Sequence, residues 1–169
     1  METIERRFTD KTKWGRGPWN DEPDKVQWQD KETGLPCLAV RGPGGNWFGY
    51  VGVAEGHPYH GVEYSGCSLQ AKCGESYCEH GPGNHLEVHG GITYSDFCAE
   101  EKENGICHLP APGEPEKVWW FGFDCAHAGD LSPSYQPDYK FGSVYRALGY
   151  VKRQVAFLAK QLKNIGDPK

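Results

Sequence analysis

A carboxylate, an imidazole and a second carboxylate follow one another at spacings of three residues in Asp124, His127 and Asp130. At this spacing the side chains share one face of a helical turn or converge around a tight loop. The residues between them, Cys125, two alanines and Gly129, are small and let a ligand come close. Any one of these polar residues alone is more commonly structural, as a helix cap or a buried histidine. The three together favour a functional site.

Histidines elsewhere in the chain have a similar sequence context. His57 and His60 lie between glycines directly after an apolar stretch, and His89 belongs to a Glu-X-His pair followed by two glycines. Polar groups placed at the ends of strands commonly converge at one edge of a sheet. We therefore predict one shared catalytic pocket, with Glu87 and His60 as further candidate members. Its residues are His57, His89, Asp124, His127 and Asp130.

Two chemistries suit such a pocket. The His and Asp side chains can bind a divalent metal that activates water. Alternatively, two histidines can act as general base and general acid on a phosphodiester, while an aspartate orients one of them. Backbone N–H groups at Gly90, Gly91 and Gly129 are predicted to hold phosphate oxygens. The abundant tryptophans and tyrosines can stack on a base.

A separate group of cysteine and histidine residues predicts a structural zinc site. Tetrahedral zinc requires four such ligands, although the spacing is wider than the Cys-X2-Cys of most zinc knuckles. Ordinary free thiols in a loop are an equally good interpretation. Cys37 and Cys125 are interpreted as small buried hydrophobes. The predicted metal ligands are Cys67, Cys73, Cys78 and His80, with Cys98, Cys107 or His108 as additional candidates.

The elements that must position these residues are predicted to be mainly strands joined by turns. Three apolar or alternating stretches joined by short turns predict an antiparallel meander, over 25–30, 35–41 and 46–53. Two further strands are predicted, over 86–94 with a bulge at its two glycines, and over 118–123 as a run buried on both faces. Apolar residues at helical spacing predict one long helix over 143–165, with Ser143 as its N-cap and a structural role.

This pattern predicts an α+β fold: a twisted antiparallel sheet with one long C-terminal helix packed on it and long Gly/Pro-rich loops. A chain of 169 residues corresponds to a single domain. Within it we expect an irregular N-terminal arm over 1–24, pinned to the body by its tryptophans. We also expect a Cys/His-rich insertion over 62–85.

Composition restricts the classes of partner. The net charge of −5 argues against a dedicated nucleic-acid-binding protein. No apolar run approaches the roughly 20 residues that span a bilayer, and the N-terminus lacks the apolar segment of a signal peptide. We therefore expect a cytoplasmic protein, in the host cell if it is phage-encoded, whose cysteines are thiols or metal ligands. The expected partner is a small nucleotide-like ligand.

Several blocks of the sequence resemble those of a family of small proteins found in bacteriophages, prophages and some bacterial genomes. The resemblance covers nearly the whole chain apart from the Cys/His-rich segment, but it brings no specific activity. It implies a role inside an infected cell, where small accessory phage proteins often counter host immunity by destroying or sequestering nucleotide signals. The blocks are GPWNDEPDK (17–25), TGLPC (33–37), GYVGV (49–53), GHP (56–58), VHGG (88–91) and WWFGFDCAHAGD (119–130).

Together these features predict a small hydrolase of the phosphodiesterase type, acting on a phosphodiester or nucleotide-like substrate. The alternative is a non-catalytic protein, a homo-oligomer among the options, that sequesters a nucleotide or inhibits a host protein, with or without a structural zinc. A nucleotide-sequestering pocket requires several lysines or arginines. The candidate loops carry histidine and aspartate instead, which favours chemistry.

Overall fold

The computed structural model describes residues 3–66, 81–98, 103–138 and 142–167. They form a six-stranded sheet, a one-turn helix and a long C-terminal helix, so the predicted α+β architecture is confirmed. No helix in these ranges is both long and apolar enough to cross a membrane. The strands are β1 (Ile4–Arg6), β2 (Lys25–Gln29), β3 (Pro36–Arg41), β4 (Trp47–Ala54), β5 (Tyr94–Asp96) and β6 (Val118–Asp124), and the helices are α1 (Pro82–His85) and α2 (Leu148–Gly166).

All neighbouring strands of the sheet are antiparallel, in the order β1-β2-β3-β4-β6-β5. The predicted meander of β2, β3 and β4 is present, and Gly34 closes its first turn by donating its amide to the Asp30 carbonyl. β6 then pairs with β4 along its whole length, from Val118 opposite Ala54 to Asp124 opposite Phe48. The predicted two-faced strand is therefore an interior strand of the sheet, between β4 and β5.

β6 is apolar along its length because its alternating side chains enter two different cores. Phe121 and Phe123 point towards α2, whereas Val118 and Trp120 point to the opposite face. Residues 118–123 are all buried. Burial of this much aromatic surface fixes the strand register, since a slip of one residue would exchange its two faces. The end of β6 is thus a rigid base for whatever follows it.

α2 buries one apolar stripe on the sheet, formed by Val151, Val155, Leu158, Ala159 and Leu162. This packing requires a glycine on β4. A Cβ at Gly49 would lie 2.7 Å from a Val155 methyl carbon and 2.5 Å from the Phe123 ring. Gly49 therefore allows α2 to approach the sheet closely.

The opposite face of the sheet is covered by an irregular segment instead of a second helix. Two polar side chains of β2 hold this segment. The Lys25 ammonium donates to the Gly105 and Cys107 carbonyls, and the Gln27 amide exchanges two hydrogen bonds with the backbone of Leu109. Burial lowers the pKa of Lys25 to about 8.

Two sequence-based predictions of secondary structure are wrong. Residues 86–93 are not a strand, because their backbone bonds to α2 side chains and only Tyr94–Asp96 joins the sheet. The long helix begins at Leu148 and not at Ser143. Val144 is extended and forms an isolated parallel bridge with Asp130, which keeps the preceding residues out of the helix.

The N-terminal residues contain more order than the predicted irregular arm. They include β1 and two short 3₁₀ turns, and the tryptophans of those turns, Trp14 and Trp19, are buried. At the end of the arm, Asp24 is buried against the Arg41 guanidinium at 2.9 Å. Arg41 is buried too, so this ion pair joins the arm to β3.

Candidate active site

The polar cluster begins where β6 ends. Asp124 is the last residue of that strand, and the chain then turns so that the Asp130 amide donates to the His127 carbonyl at 2.9 Å. Asn46 supports the turn through hydrogen bonds from its side-chain amide to the Cys125 and Leu131 carbonyls. The buried strand therefore continues directly into a loop whose backbone is fixed at several points.

The residues before α2 close the loop from the other side. The Val144 amide donates to the Gly129 carbonyl, and the Leu131 amide donates to the Val144 carbonyl. These two bonds flank Asp130 and fix its backbone. The side chain of Asp130 then points inward, with only 1% of its surface exposed.

The segment carrying His89 is positioned by two glutamines of α2. The Gln161 side chain accepts from the Glu87 amide and donates to the Glu87 carbonyl. The Gln154 side chain accepts from the His89 amide at 2.9 Å. Side-chain amides thus replace the missing strand partner, and His89 is held beside the first turns of the helix.

His89 uses both of its ring nitrogens. Its Nε2 lies 2.8 Å from the Asp130 carboxylate, and its Nδ1 lies 2.9 Å from the hydroxyl of Tyr150. A carboxylate on one imidazole nitrogen fixes the ring orientation and leaves the other nitrogen for proton exchange. Asp130, His89 and Tyr150 therefore form a continuous hydrogen-bonded chain.

Asp130 is the centre of this arrangement. Its carboxylate accepts from Arg146 Nε at 2.8 Å, from His89, and from the His127 amide at 3.1 Å. Burial alone would raise the pKa of Asp130, but these hydrogen bonds, led by that from Arg146, hold it below its usual value. The carboxylate is consequently ionised at neutral pH; it orients the His89 ring and holds the His127 backbone.

His127 forms a second imidazole–carboxylate pair. Its Nε2 is buried and hydrogen-bonds to none of the described residues, but it lies 3.4 Å from Asp124, within ion-pair distance. Asp124 is itself held by the Thr93 hydroxyl at 2.9 Å and the Ala126 amide. Gly90 lies against the ring, because a Cβ there would be 2.0 Å from Nε2. Among the described residues, none hydrogen-bonds to Nδ1 of His127.

The two pairs lie side by side. The His89 and His127 rings have centroids 5.9 Å apart at an angle of 55°. His127 and Asp124 keep 36% and 24% of their side-chain surface exposed, whereas His89 keeps 14%. The cluster is therefore partly open to solvent on the His127 side and closed on the Asp130 side.

His57 does not belong to this cluster. Its Nε2 donates to the Leu162 carbonyl at 2.8 Å, and its Nδ1 accepts from the Tyr59 amide. Leu162 lies twelve residues along α2 from Tyr150, about 18 Å at 1.5 Å per residue. Burial lowers the pKa of His57, and the bond to the Leu162 carbonyl opposes this only in part. His57 is a neutral residue that supports the end of α2, so the prediction of one pocket with three histidines is wrong.

The other two candidate members also lie apart. The His60 ring packs edge-on against Phe97 at 5.6 Å. Glu87 is exposed and approaches α2 through its backbone at Gln161, two turns beyond the Gln154 that holds His89. The predicted pairing of Glu87 with His89 on one face of a strand fails because that strand does not form.

The three glycines predicted to bind phosphate have different environments, although all have positive φ. The Gly91 amide is already used, since it donates to the Val88 carbonyl at 2.9 Å. Gly90 lies against His127, and Gly129 is exposed in the turn before Asp130. Gly90 and Gly129 remain candidate phosphate donors, whereas Gly91 does not.

The predicted metal ligands Cys67, Cys73, Cys78 and His80 lie outside the described residues. Within the described ranges, three potential ligand atoms come within 4.8 Å of one another only in the group of Cys98, Cys107 and His108. This group could hold a metal, but Cys98 and Cys107 are joined by a disulfide. Cys37 and Cys125 are buried, as predicted, and burial raises the pKa of Cys125 to about 12, which makes it a poor nucleophile.

Sequence reasoning missed the contribution of α2 and the residues just before it. Tyr150 and Gln154 lie four residues apart on one face of α2, Arg146 lies two residues before the helix, and all three contact the cluster. The only sequence signal for these residues is a set of polar and aromatic side chains at this spacing. The apolar stripe of α2 explains the packing of the helix without them, so this signal does not by itself indicate a site.

Two surface depressions lie away from the cluster. One of about 480 Å³ is lined by residues of the N-terminal arm, including Arg7 and Lys11, and one of about 630 Å³ by residues around Trp28 and Lys152. Neither has a histidine among its lining residues. The paired histidines therefore point to the β6 cluster as the candidate site.

Comparisons of the chain with protein-family models, curated proteins and solved structures find no match. Function is therefore inferred from the geometry and charge of the cluster.

Proposed function

We propose that this protein is a hydrolase of the phosphodiesterase type, and that the paired imidazole–carboxylate groups at the end of β6 are its catalytic centre. The observation that supports this most directly is the proximity of two histidines, each with its own carboxylate: His89 with Asp130, and His127 with Asp124. Two adjacent imidazoles provide a general base and a general acid, the two functions that phosphodiester cleavage requires.

The spacing of ligand atoms favours acid–base chemistry over metal chemistry at this centre. Within the described ranges, the His/Asp cluster does not bring three ligand atoms within 4.8 Å of one another. His89 is also occupied at both nitrogens by Asp130 and Tyr150. A metal would have to displace one of these hydrogen bonds, whereas proton transfer uses them as they are.

Positive charge for an anionic substrate comes from α2 and the residues before it. The guanidinium carbons of Arg146 and Arg153 lie 5.0 and 5.9 Å from the centre of the Tyr150 ring. Arg153 is exposed, and Arg146 keeps 29% of its side chain exposed. These two arginines supply the cations that the predicted loops lacked, and they support a phosphate-containing ligand. They suit a sequestering protein as well as a hydrolase, so the choice of a hydrolase rests on the paired histidines.

The resemblance to bacteriophage and prophage proteins favours a nucleotide signal of host defence as the natural substrate, and hence a cytoplasmic, anti-defence role. Catalytic turnover is expected to be insensitive to chelators. The active-site residues in this proposal are His89, His127, Asp124 and Asp130, with Gly90 and Gly129 as donors to phosphate oxygens.

Turnover of bis(p-nitrophenyl) phosphate and of a panel of cyclic and linear nucleotides tests the proposal. His89→Ala and His127→Ala are each expected to lower turnover of the nucleotides by about 10²–10⁴-fold, the usual contribution of a general acid or base. His57→Gln is the matched control, since it replaces a histidine outside the cluster. Saturable nucleotide binding without turnover would instead support the sequestering alternative.

A second proposal concerns zinc. We infer that Cys98, Cys107 and His108 hold a structural zinc ion once the disulfide is reduced, because two thiolates and an imidazole within 4.8 Å of one another are three of the four ligands that tetrahedral zinc requires. Water can supply the fourth. The ion would fix the segment that covers the second face of the sheet, where His108 is buried against the Trp120 ring.

A further inference from the structure

Among the described residues, the ring nitrogens of His89 have two hydrogen-bond partners, the Asp130 carboxylate and the Tyr150 hydroxyl. Because the ionised Asp130 accepts from Nε2–H, a neutral His89 presents the lone pair of Nδ1 to Tyr150, and the phenol donates into it. His89 therefore cannot act on a substrate directly while this bond is present. The phenol oxygen of Tyr150 is therefore the end of the hydrogen-bonded chain that can contact a substrate.

This hydrogen-bonded arrangement has the three parts of an activated nucleophile. Such a site needs a hydroxyl, a base within hydrogen-bond distance of it, and a third group that orients the base. Here Tyr150 Oη lies 2.9 Å from His89 Nδ1, and Asp130 lies 2.8 Å from Nε2. Building on the proposed phosphodiesterase function, we propose that Tyr150 is its nucleophile and forms a covalent phosphotyrosyl intermediate.

The charges around Tyr150 suit this role. Two guanidinium groups lie near its ring, and Arg146 is fixed in place by its bond to Asp130. Both cations attract a phosphodiester and stabilise negative charge on the phosphoryl oxygens in the transition state. The ring itself packs edge-on against His89, with centroids 5.5 Å apart, so its orientation is restricted.

The reaction then proceeds in two balanced steps. In the first, Tyr150 oxygen attacks phosphorus, its proton passes to His89, and the leaving alcohol departs with a proton from His127. In the second, water attacks the phosphotyrosyl group, its proton passes to His127, and the Tyr150 oxygen recovers the proton held by His89. One phosphodiester and one water become one alcohol and one phosphomonoester, and both histidines return to their starting protonation states.

Trapping the intermediate tests this inference. The full-length protein is mixed with bis(p-nitrophenyl) phosphate, whose leaving group needs no general acid, then quenched in acid and analysed by intact-mass and peptide mass spectrometry. In His127→Ala, where water is no longer activated, we expect a burst of about one equivalent of nitrophenolate and one p-nitrophenyl phosphate adduct on Tyr150. Tyr150→Phe should lose the burst and the adduct and reduce turnover at least 100-fold.

Tyr135→Phe serves as a matched control, since it removes an exposed phenol outside the cluster, and thermal unfolding checks that each variant is folded. Turnover by the wild type without an adduct, retained in folded Tyr150→Phe, would overturn the nucleophile while leaving the hydrolase intact. An adduct on Tyr135 in place of Tyr150 would also overturn it. No nitrophenolate release by any variant, together with no turnover of nucleotides by the wild type, would overturn the hydrolase and the nucleophile together.

Discussion

The Glu22 carboxylate accepts a hydrogen bond from the Leu148 amide, at 2.7 Å, and so caps the first turn of α2 from 126 residues away in the chain. Ala147, at the helix's own N-cap position, offers no side-chain bond. The other carboxylate oxygen of Glu22 accepts from Arg41, Trp47 and Tyr145. One side chain of the N-terminal arm therefore fixes the start of the helix that carries Tyr150.

Replacing Glu22 by alanine should destabilise the protein by about 2–4 kcal/mol, because a helix cap is lost and three buried or partly buried donors lose an acceptor. Chemical denaturation monitored by tryptophan fluorescence measures this change. Asp21→Ala, at the exposed neighbouring position, should stay within about 0.5 kcal/mol of the wild type. A change within about 0.5 kcal/mol in Glu22→Ala as well would mean that the network contributes no stability.

Stability should also fall in acid, because protonation of Glu22 and Asp24 weakens the hydrogen bonds that their carboxylates accept. Burial raises the pKa of Glu22 and of Asp24, but hydrogen bonds from their partners outweigh this and hold both pKa values below normal. A carboxyl with a lowered folded-state pKa contributes stability above its unfolded-state pKa of about 4, and loses it as the pH falls further. The free energy of unfolding should therefore decline below about pH 4, and less steeply in Glu22→Gln. A slope unchanged by the substitution would contradict this.

The sequence was sufficient for β2, β3, β4 and β6, and insufficient for β1, β5 and the details of the site. β6 and the meander were predictable because buried strands show continuous or alternating apolar residues and their turns contain glycine. His89 was expected on a strand, but side chains of Gln154 and Gln161 compete for the backbone of its segment. No local pattern reveals such a contact, just as none reveals that Glu22 caps a helix 126 residues later.

The cluster itself was predictable only where its members are close in sequence. Asp124, His127 and Asp130 come together through one turn, so their spacing carried the information. His57 shares the sequence context of His89, a histidine beside glycine after an apolar stretch, yet it supports the far end of α2. Tertiary packing decides between these two outcomes, and the sequence pattern does not.

His57→Gln should separate structure from catalysis. Glutamine can still donate to the Leu162 carbonyl but cannot titrate, and His57 lies outside the cluster, so turnover of nucleotides per folded molecule should match the wild type. Because burial lowers the folded-state pKa of His57, the wild type should lose some stability as the pH falls below about 6.5, and the variant should lack this component. Urea denaturation between pH 5 and 8 measures it. A collapse of turnover in folded His57→Gln would return His57 to the active site.

Reduction should convert the Cys98–Cys107 disulfide into a zinc site. After treatment with a reductant that does not itself bind metal, followed by dialysis against zinc, the Cys98→Ser variant should hold fewer equivalents of zinc than the wild type. The oxidised wild type should also hold fewer, because its two sulfurs are not thiolates. Elemental analysis provides the measurement, and Cys37→Ala, at a buried thiol outside the group, provides the control. Zinc retention that is equal in the reduced wild type and Cys98→Ser would exclude this site.

Neighbouring glycines allow the position of His127 to be tested almost in isolation. Gly90 and Gly91 both have positive φ, at 68° and 84°, so alanine at either position should cost about 1–2 kcal/mol of backbone strain. Only at Gly90 does the added Cβ meet the His127 ring, at 2.0 Å from Nε2, whereas at Gly91 it meets nothing within 4 Å. Gly90→Ala must therefore displace His127, and Gly91→Ala need not.

We expect the two variants to unfold at similar temperatures, and we expect turnover of a nucleotide diester to fall at least 10²-fold in Gly90→Ala alone, the contribution of one general acid. Proton-detected NMR of the His127 ring reports the displacement independently of activity. Equal turnover in both variants, with the His127 resonance shifted only in Gly90→Ala, would show that the imidazole moves without consequence. His127 would then have no part in the chemistry, because a general acid cannot act from a position out of reach of the leaving oxygen.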